Sequence, residues 1–437
     1  MSIENKCLRL SELPDDGSLA ATAHAKYPGQ HCSFRAVAGT VPLIKNSYAL
    51  LFGPAICLYN AKLSMNMRSL TSDPRPNNLL FVNYSQDDII FGFQEKVRVA
   101  IFQADQEYHP EVLFLITSCL QEIVGEDFDA CIDEIRPSVK AKLLTIHTEN
   151  FTCEGAAPGV ENMFKSLFEL MKEQPQEERT ANILGLWTST ARKTELVRLL
   201  SGKGVRIKNV IPSYCTPSEL EEAPGVQLNI VLDQYGLPLA RMMKEKFGTN
   251  YIYCRKPYHP DSIEEWYQNI ASALNIDLSV EVADLKKKTE ALREKARAAL
   301  AGMTCAVSGI SGRPFDLALL LTSIGIEPKA MLMQTIQPED RPDIQSLLNA
   351  GVDPIVFRGD NSLQNEELLA ELSPDISVGA FERSSLARMG IRPVILSTSN
   401  YLLGFESTLE VMRLLMEGIP GIEALLYKEK ILAGGEC

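Results

Sequence analysis

Residues 181–207 read ANILGLWTSTARKTELVRLLSGKGVRI, and their order decides the fold. The mainly apolar run Ala181–Trp187 has the length and content of a buried strand, and it ends in a polar turn where Ser189 or Thr190 can cap a helix. Leu196, Leu199 and Leu200 then recur at helical spacing, and Gly202 and Gly204 stop the helix before the next apolar run at Val205. Strand, turn, helix and strand in this order build a parallel sheet through a crossover helix.

The alternation continues outward. VRIKNVIP (205–212), VQLNIVLDQYGLPLARMMKEKFG (226–248) and NYIYCRKPYHPDSIEEWYQNIASALN (250–275) each open on a short buried-type run, and the longer two go on into an amphipathic one. A charged helix is expected over 283–302, after which the order restarts in TCAVSGISGRPFDLALLLTSIGIEPKAMLMQT (304–335) and continues to residue 417. Residues 305–328 repeat the pattern of 183–207 loosely, either by duplication or as any two doubly wound units would. The expected architecture is α/β, with three doubly wound Rossmann-like parallel-sheet domains. Their expected limits are 1–175, 176–285 and 286–437, dividing in the polar stretch KEQPQEERT (172–180) and near the charged helix.

Composition narrows the function. With 437 residues, 43 Lys plus Arg against 56 Asp plus Glu and a net charge of −13, the chain has the wrong sign for counterion-driven binding of nucleic acid. Its longest apolar runs are too short to span a bilayer, and MSIENKCLRLSELPDD lacks the layout of a secretory signal, so a cytoplasmic location is expected. No Walker A sequence and no GxGxxG occurs; Gly309-x-x-Gly312 reads as a tight turn at a strand end, and nucleotide chemistry would have to reside elsewhere.

Ten cysteines lie scattered along the chain without a CxxC pair, which excludes zinc-ribbon and thioredoxin-type readings. Cys119 follows the apolar run VLFLIT (112–117) and opens a helical stretch; Cys57 follows a Gly53-Pro54 turn after another apolar run; Cys32 lies in a loop-like segment before that run. Ligands of doubly wound sheets bind beyond the carboxyl ends of strands, where a helix amino terminus also favours a thiolate. Any one of these residues serves equally as a small buried hydrophobe. Together they form a soft donor set suited to iron-sulfur chemistry.

CSFRAVAGTVPLIKNSYALLFGPAIC (32–57), YSQDDIIFGFQEKV (84–97) and YHPEVLFLITSCLQEIVGEDFDACI (108–132) resemble the nitrogenase component 1 superfamily. That superfamily comprises nitrogenase alpha and beta subunits, a cofactor-assembly scaffold pair and nitrogenase-like reductases. The resemblance implies that Cys32, Cys57 and Cys119 hold an iron-sulfur cluster, of [4Fe-4S] or P-cluster type, at an interface with a homologous component 1 subunit. It further implies an ATP-dependent iron-sulfur reductase protein as electron donor. Where iron-molybdenum cofactor ligands of alpha subunits would fall, this chain aligns Asp233 and Leu402, so no ligands for that cofactor are recognised. The readings left open are an oxidoreductase subunit relaying electrons to a bound substrate, a non-catalytic scaffold for assembling a nitrogenase-type metal cofactor, and a cluster-free relic.

Secondary candidates surround this set. Asp87 or Asp88 could supply a fourth ligand, or simply cap a helix, and His31 could tune a cluster or lie on the surface. Arg255, Lys256, Tyr258, Arg313, Arg358 and Arg383 follow expected strands and could bind an anion or form salt bridges. Cys119 with His109 is a remaining candidate for a thiol nucleophile and base.

Overall fold

The computed structural model describes residues 7–19, 32–69, 78–125, 127–148, 158–188, 190–309, 312–333, 335–358, 362–379, 381, 383–396 and 401–417. In chain order the strands are β1 (Leu8–Arg9), β2 (Ser47–Gly53), β3 (Leu79–Asn83), β4 (Val112–Thr117), β5 (Lys142–Ile146), β6 (Glu177–Leu186), β7 (Arg206–Pro212), β8 (Val226–Val231), β9 (Asn250–Tyr253), β10 (Thr304–Ser308), β11 (Glu327–Met333), β12 (Ile355–Arg358), β13 (Ile376–Gly379) and β14 (Arg392–Val394). They form three sheets, ordered β3-β2-β4-β5, β7-β6-β8-β9 and β1-β12-β11-β10-β13-β14, and every pairing except β1 with β12 is parallel. The expected α/β class with three doubly wound, Rossmann-like sheets is therefore what the chain adopts.

Contacts gather into two compact units. Residues 31–193 and 200–254 carry the first two sheets, and residues 1–30, 194–199 and 255–437 carry the third. Against the expected first domain of 1–175, Leu8–Arg9 pairs antiparallel with Val356 and Ile355. That short strand satisfies the otherwise open edge of β12, and Leu10 beside it is buried in the third sheet's core. Boundaries at 175 and 285 are our proposal for where the three sheets divide.

The helices of the first unit that matter to function are α1 (Ser33–Ala38), α2 (Ala55–Ser69), α3 (Gln86–Phe91), α4 (Gln94–Tyr108), α5 (Cys119–Val124), α6 (Phe128–Ile135) and α7 (Pro158–Leu167). VLFLIT is buried throughout, as a central strand covered on both faces must be. Alternate residues go to opposite faces. Ala49, Leu51, Phe114 and Ile116 pack with Phe34, Val37 and Phe164 on one face, whereas Leu50, Phe52, Leu113 and Leu115 pack with Val97, Ile101, Phe128 and Ile132 on the other.

Two local expectations shift. β6 begins at Glu177, inside the polar stretch read as a boundary, because its first residues stand exposed beyond the covered part of the sheet. The following helix begins only at Glu195 after a 3-10 turn at Ala191–Lys193, with Thr194 O accepting from Arg198 N; Thr190 supports that turn instead, and Ser189 lies outside the described residues. The charged helix runs over Ser279–Leu300. No helix among the described residues is long and apolar enough to cross a membrane.

The second sheet carries a polar rung inside its core. Asn209 Nδ2 donates to Asn182 Oδ1 (3.0 Å), and Asn182 Nδ2 donates to Asn229 Oδ1 (2.9 Å) and to Ala223 O (2.8 Å), all within fully or nearly fully buried residues. Since a buried polar group stripped of its partner costs about 1–3 kcal/mol, Asn182→Ala should lower stability by at least that amount. Urea unfolding of the purified chain measures it; a loss below about 0.5 kcal/mol would show that the rung contributes little.

Candidate functional site

In the first sheet the chain leaves β2 toward β3 and returns to β4 before β5, so the strand order reverses between β2 and β4. Connections that depart to opposite sides leave a crevice beyond the carboxyl ends of the two strands. β2 ends at Gly53, and Pro54 leads into α2, where Cys57 lies in the first turn with its N–H donating to Pro54 O at 2.9 Å. β4 ends at Thr117, and Cys119 is the first residue of α5. The two cysteines therefore flank the same reversal. Cys32 immediately precedes α1, which packs against α2 and α7, and Cys32 and Cys57 rest half-buried on one apolar cluster.

Electrostatics link the three at Cys57. Burial, then the charge of Cys119, then that of Cys32, push the Cys57 thiol above its ordinary value. The first turn of the 15-residue α2 favours a thiolate, but desolvation and like charges outweigh it. A Cys57 thiol that resists ionising beside Cys119 and Cys32 belongs to a donor set whose repulsion a cationic group would relieve. Among the described residues no three His, Cys, Asp or Glu side chains are grouped to hold a single metal ion. A mononuclear zinc site does not fit, whereas a cluster places each thiolate on its own iron and spreads the sulfurs more widely. The donor chemistry thus fits an iron-sulfur group, which Cys32, Cys57 and Cys119 would hold.

The secondary candidates are mostly engaged elsewhere. Asp88 accepts from Ser85 N (2.6 Å) and Ser85 Oγ (2.7 Å) in the capping box of α3 and pairs with Lys96; Lys96 first, and then Ser85, hold its carboxyl down to about 2. Asp87 is exposed, and neither aspartate is among the charges felt at Cys57. His31 lies outside the described residues. His109 ends α4 and precedes β4, with Nδ1 3.1 Å from Asp105 O. It stands at the amino end of that strand, roughly 20 Å of chain from Cys119, so these two residues form no nucleophile–base pair.

On the second unit Arg255 pairs with Asp340 at 2.6 Å, both side chains almost wholly buried, and Arg313 clasps Asp343 through Nε (2.9 Å) and Nη2 (2.5 Å). Asp316 receives the backbone N–H groups of Tyr258 and His259. Sequence reading missed these three aspartates, which make the arginines internal ties. Lys256 is buried with Nζ 4.8 Å from the Tyr258 ring centre, and burial pushes its ammonium down to about 7. Arg358 is buried at the end of β12, and Arg383 is exposed at the start of a short helix.

Asp233 occupies the corresponding reversal of the second sheet, between β6 and β8. Its Oδ1 accepts from Tyr235 N at 3.0 Å, opening a 3-10 turn. Gly185, at φ +87°, lies so close that an added Cβ would come within 2.6 Å of Asp233 Cβ. Leu402 is half-buried ahead of the helix Phe405–Met416.

The mutual charge of the thiols has a measurable sign. In the metal-free chain Cys57 should alkylate with a pH midpoint above that of an ordinary thiol, about 8.5, and Cys119→Ser should move that midpoint downward by removing one negative neighbour. Iodoacetamide rates resolved by peptide mass test this; an unmoved profile in C119S would mean the thiols do not feel one another.

A family model described as nitrogenase component 1 type oxidoreductase matches residues 32–419. The nitrogenase iron-molybdenum cofactor biosynthesis protein NifE of Nostoc sp. is 24% identical over 405 residues, covering 89% of this chain and 82% of that one. The nitrogenase molybdenum-iron protein alpha chain of Methanothermobacter marburgensis is 21% identical over 439 residues, covering 91% and 90%. A solved structure, nitrogenase Cp1 at pH 5, shares the fold with a TM-score of 0.74 at 19% identity over 94% of this chain and 92% of that one. The fold, the reversal-point cysteines and the span of the match agree: this chain belongs to the nitrogenase component 1 type oxidoreductase family.

Proposed function

We infer that the chain is an oxidoreductase subunit that relays electrons through an iron-sulfur cluster held by Cys32, Cys57 and Cys119 to a bound substrate. The observation that carries this reading is the raised Cys57 thiol, which feels the charges of both Cys119 and Cys32 at the β2–β4 reversal. When bound, a [4Fe-4S] or P-type cluster supplies one-electron transfer. The chain's own residues orient the three thiols and exclude water from one side of them through the apolar cluster beneath Cys32 and Cys57.

A partner subunit suits the other side. Ile56, Tyr59 and Leu63 are 64%, 62% and 43% exposed and share one face of α2 at helical spacing, and Ile123 on α5 is 64% exposed. Ile90 and Phe91 on α3 add 70% and 83%. Apolar side chains left open on the helices that carry Cys57 and Cys119 fit a homologous component 1 subunit covering the thiols and completing their coordination. Hydrolysis of ATP is assigned to a separate iron-sulfur reductase protein, since no phosphate-binding loop of the Walker type is present.

A second reading, a non-catalytic scaffold for assembling a nitrogenase-type metal cofactor, is favoured by Asp233, a carboxylate tied into its own turn at the second reversal. The two readings part on turnover: an oxidoreductase consumes electrons with substrate, and a scaffold releases its metal group to an acceptor protein.

Anaerobically purified chain should contain iron and acid-labile sulfide and give an iron-sulfur EPR signal. Losing an outer-shell partner costs about 10–100-fold in metal affinity, so Cys57→Ala and Cys119→Ala should each cost at least that. Iron-free wild-type protein, or a C57A variant with undiminished iron, would overturn the reading.

A further inference from the structure

One buried side chain spans the crevice between Cys57 and Cys119. Gln121, 4% exposed, follows Cys119 by two residues in α5. Its Oε1 accepts from Ser118 N (2.9 Å) and Ser118 Oγ (2.8 Å), while its Nε2 donates to Phe52 O (3.2 Å) and to Tyr84 Oη (2.9 Å). Tyr84 N in turn donates to Gly53 O at 3.2 Å, and Ser118 N–H also donates to Phe52 O at 3.2 Å. One amide therefore joins the residue preceding Cys119 to the end of the strand that leads into Cys57.

This tie begins where the sheet stops. The last rung between β2 and β4 pairs Phe52 with Thr117, and both cysteines lie beyond it. Past that rung one backbone bond remains, Ser118 N–H donating to Phe52 O at 3.2 Å, and beyond it the two chains turn into helices on opposite sides, where only side chains can fix their separation. Packing at the same level is close: a Cβ on Gly53 would lie 3.0 Å from Ser118 Oγ, and the Tyr84 ring stacks on Phe93 with centres 4.8 Å apart.

Helix capping accounts for only half of these bonds. Gln121 is the third residue of the capping box begun by Ser118, a position that Glu fills as readily as Gln. The cap uses the acceptor oxygen. The two donations across the crevice require the amide nitrogen, which Glu lacks, and they come without adding a negative charge beside thiols that already repel one another.

We propose that Gln121 is a positioning residue that sets the separation of Cys57 and Cys119 across the crevice. The proposal rests on the cluster reading for its purpose, but its geometry can be tested without iron. In full-length metal-free wild type, Q121E, Q121L and Y84F, the Cys57–Cys119 cross-link is mapped by peptide mass over a series of bis-maleimides of increasing spacer length. Wild type should show a narrow optimum; Q121E and Q121L should spread the yield over several spacers, with Y84F between them. In anaerobic iron-loaded protein, Q121E and Q121L should lose iron to a chelator about tenfold faster and change the EPR line shape. Tyr84→Phe keeps the ring packing and Q121E keeps the cap, so these two carry the test if Q121L fails to fold. Wild-type spacer profiles in Q121E and Y84F would overturn the proposal. Absence of iron from wild type would sink the cluster reading alone, and the spacer profile would still decide the role of Gln121.

Discussion

The parallel ladder between β2 and β4 is the constraint on which the candidate site depends. Parallel neighbours cannot be joined by a hairpin, so each strand must send its chain out through a helix. Where two such exits leave in opposite directions, the helix starts separate and a gap opens above the last rung. Ser47 to Phe52 pair with Val112 to Thr117 without a shift in register, and this fixes the gap to the resolution of a single residue. Cys57 and Cys119 stand a few residues past their strands, beyond that last rung.

The same geometry is used differently at the two reversals. At the first, Cys57 rests on an apolar floor, and burial and then the charges of Cys119 and Cys32 hold its thiol above the ordinary value, a local cost that a bound cationic group would remove. At the second, between β6 and β8, Asp233 turns its carboxylate onto a backbone N–H and Gly185 admits it at close range. In the third-sheet unit, Arg255 and Arg313 meet buried aspartates instead. Breaking such a buried pair by removing one partner is strongly destabilising, because it leaves an uncompensated charge. Ion pairs of that kind make a rigid scaffold and leave little cationic capacity for an incoming anion.

Much of this was legible in the chain. SYALLFG and VLFLIT are continuous apolar runs with β-branched or aromatic residues, and continuous burial is what parallel central strands require, so their place in the sheet followed from composition. The cysteine positions followed from those strand ends. What the chain concealed depends on distance in sequence. Leu8–Arg9 finds β12 almost 350 residues away, and a two-residue strand has no periodicity to read. Asp316, Asp340 and Asp343 look like ordinary first-turn acids until Arg255 and Arg313 arrive beside them. Gln121 is hidden in the same way, since Ser118-x-x-Gln121 reads as a helix cap, and only Phe52 and Tyr84 reveal the second half of its bonding.

The contrast between thiols at one reversal and a carboxylate at the next bears on what each crevice can hold. Thiolates are soft ligands that favour iron-sulfur clusters, and a carboxylate is a hard one that favours oxygen-loving cations or none. One carboxylate oxygen of Asp233 already accepts from Tyr235 N at 3.0 Å within its own turn. To expose that oxygen, the 3-10 turn at Gln234–Gly236 would have to open, and Gly236 is packed beneath it against Leu184. A metal group resting in the second crevice would therefore be held without a protein thiolate from this position. The soft donors at 32, 57 and 119 and the hard oxygens of Asp233 thus give the two reversals different ligand chemistry.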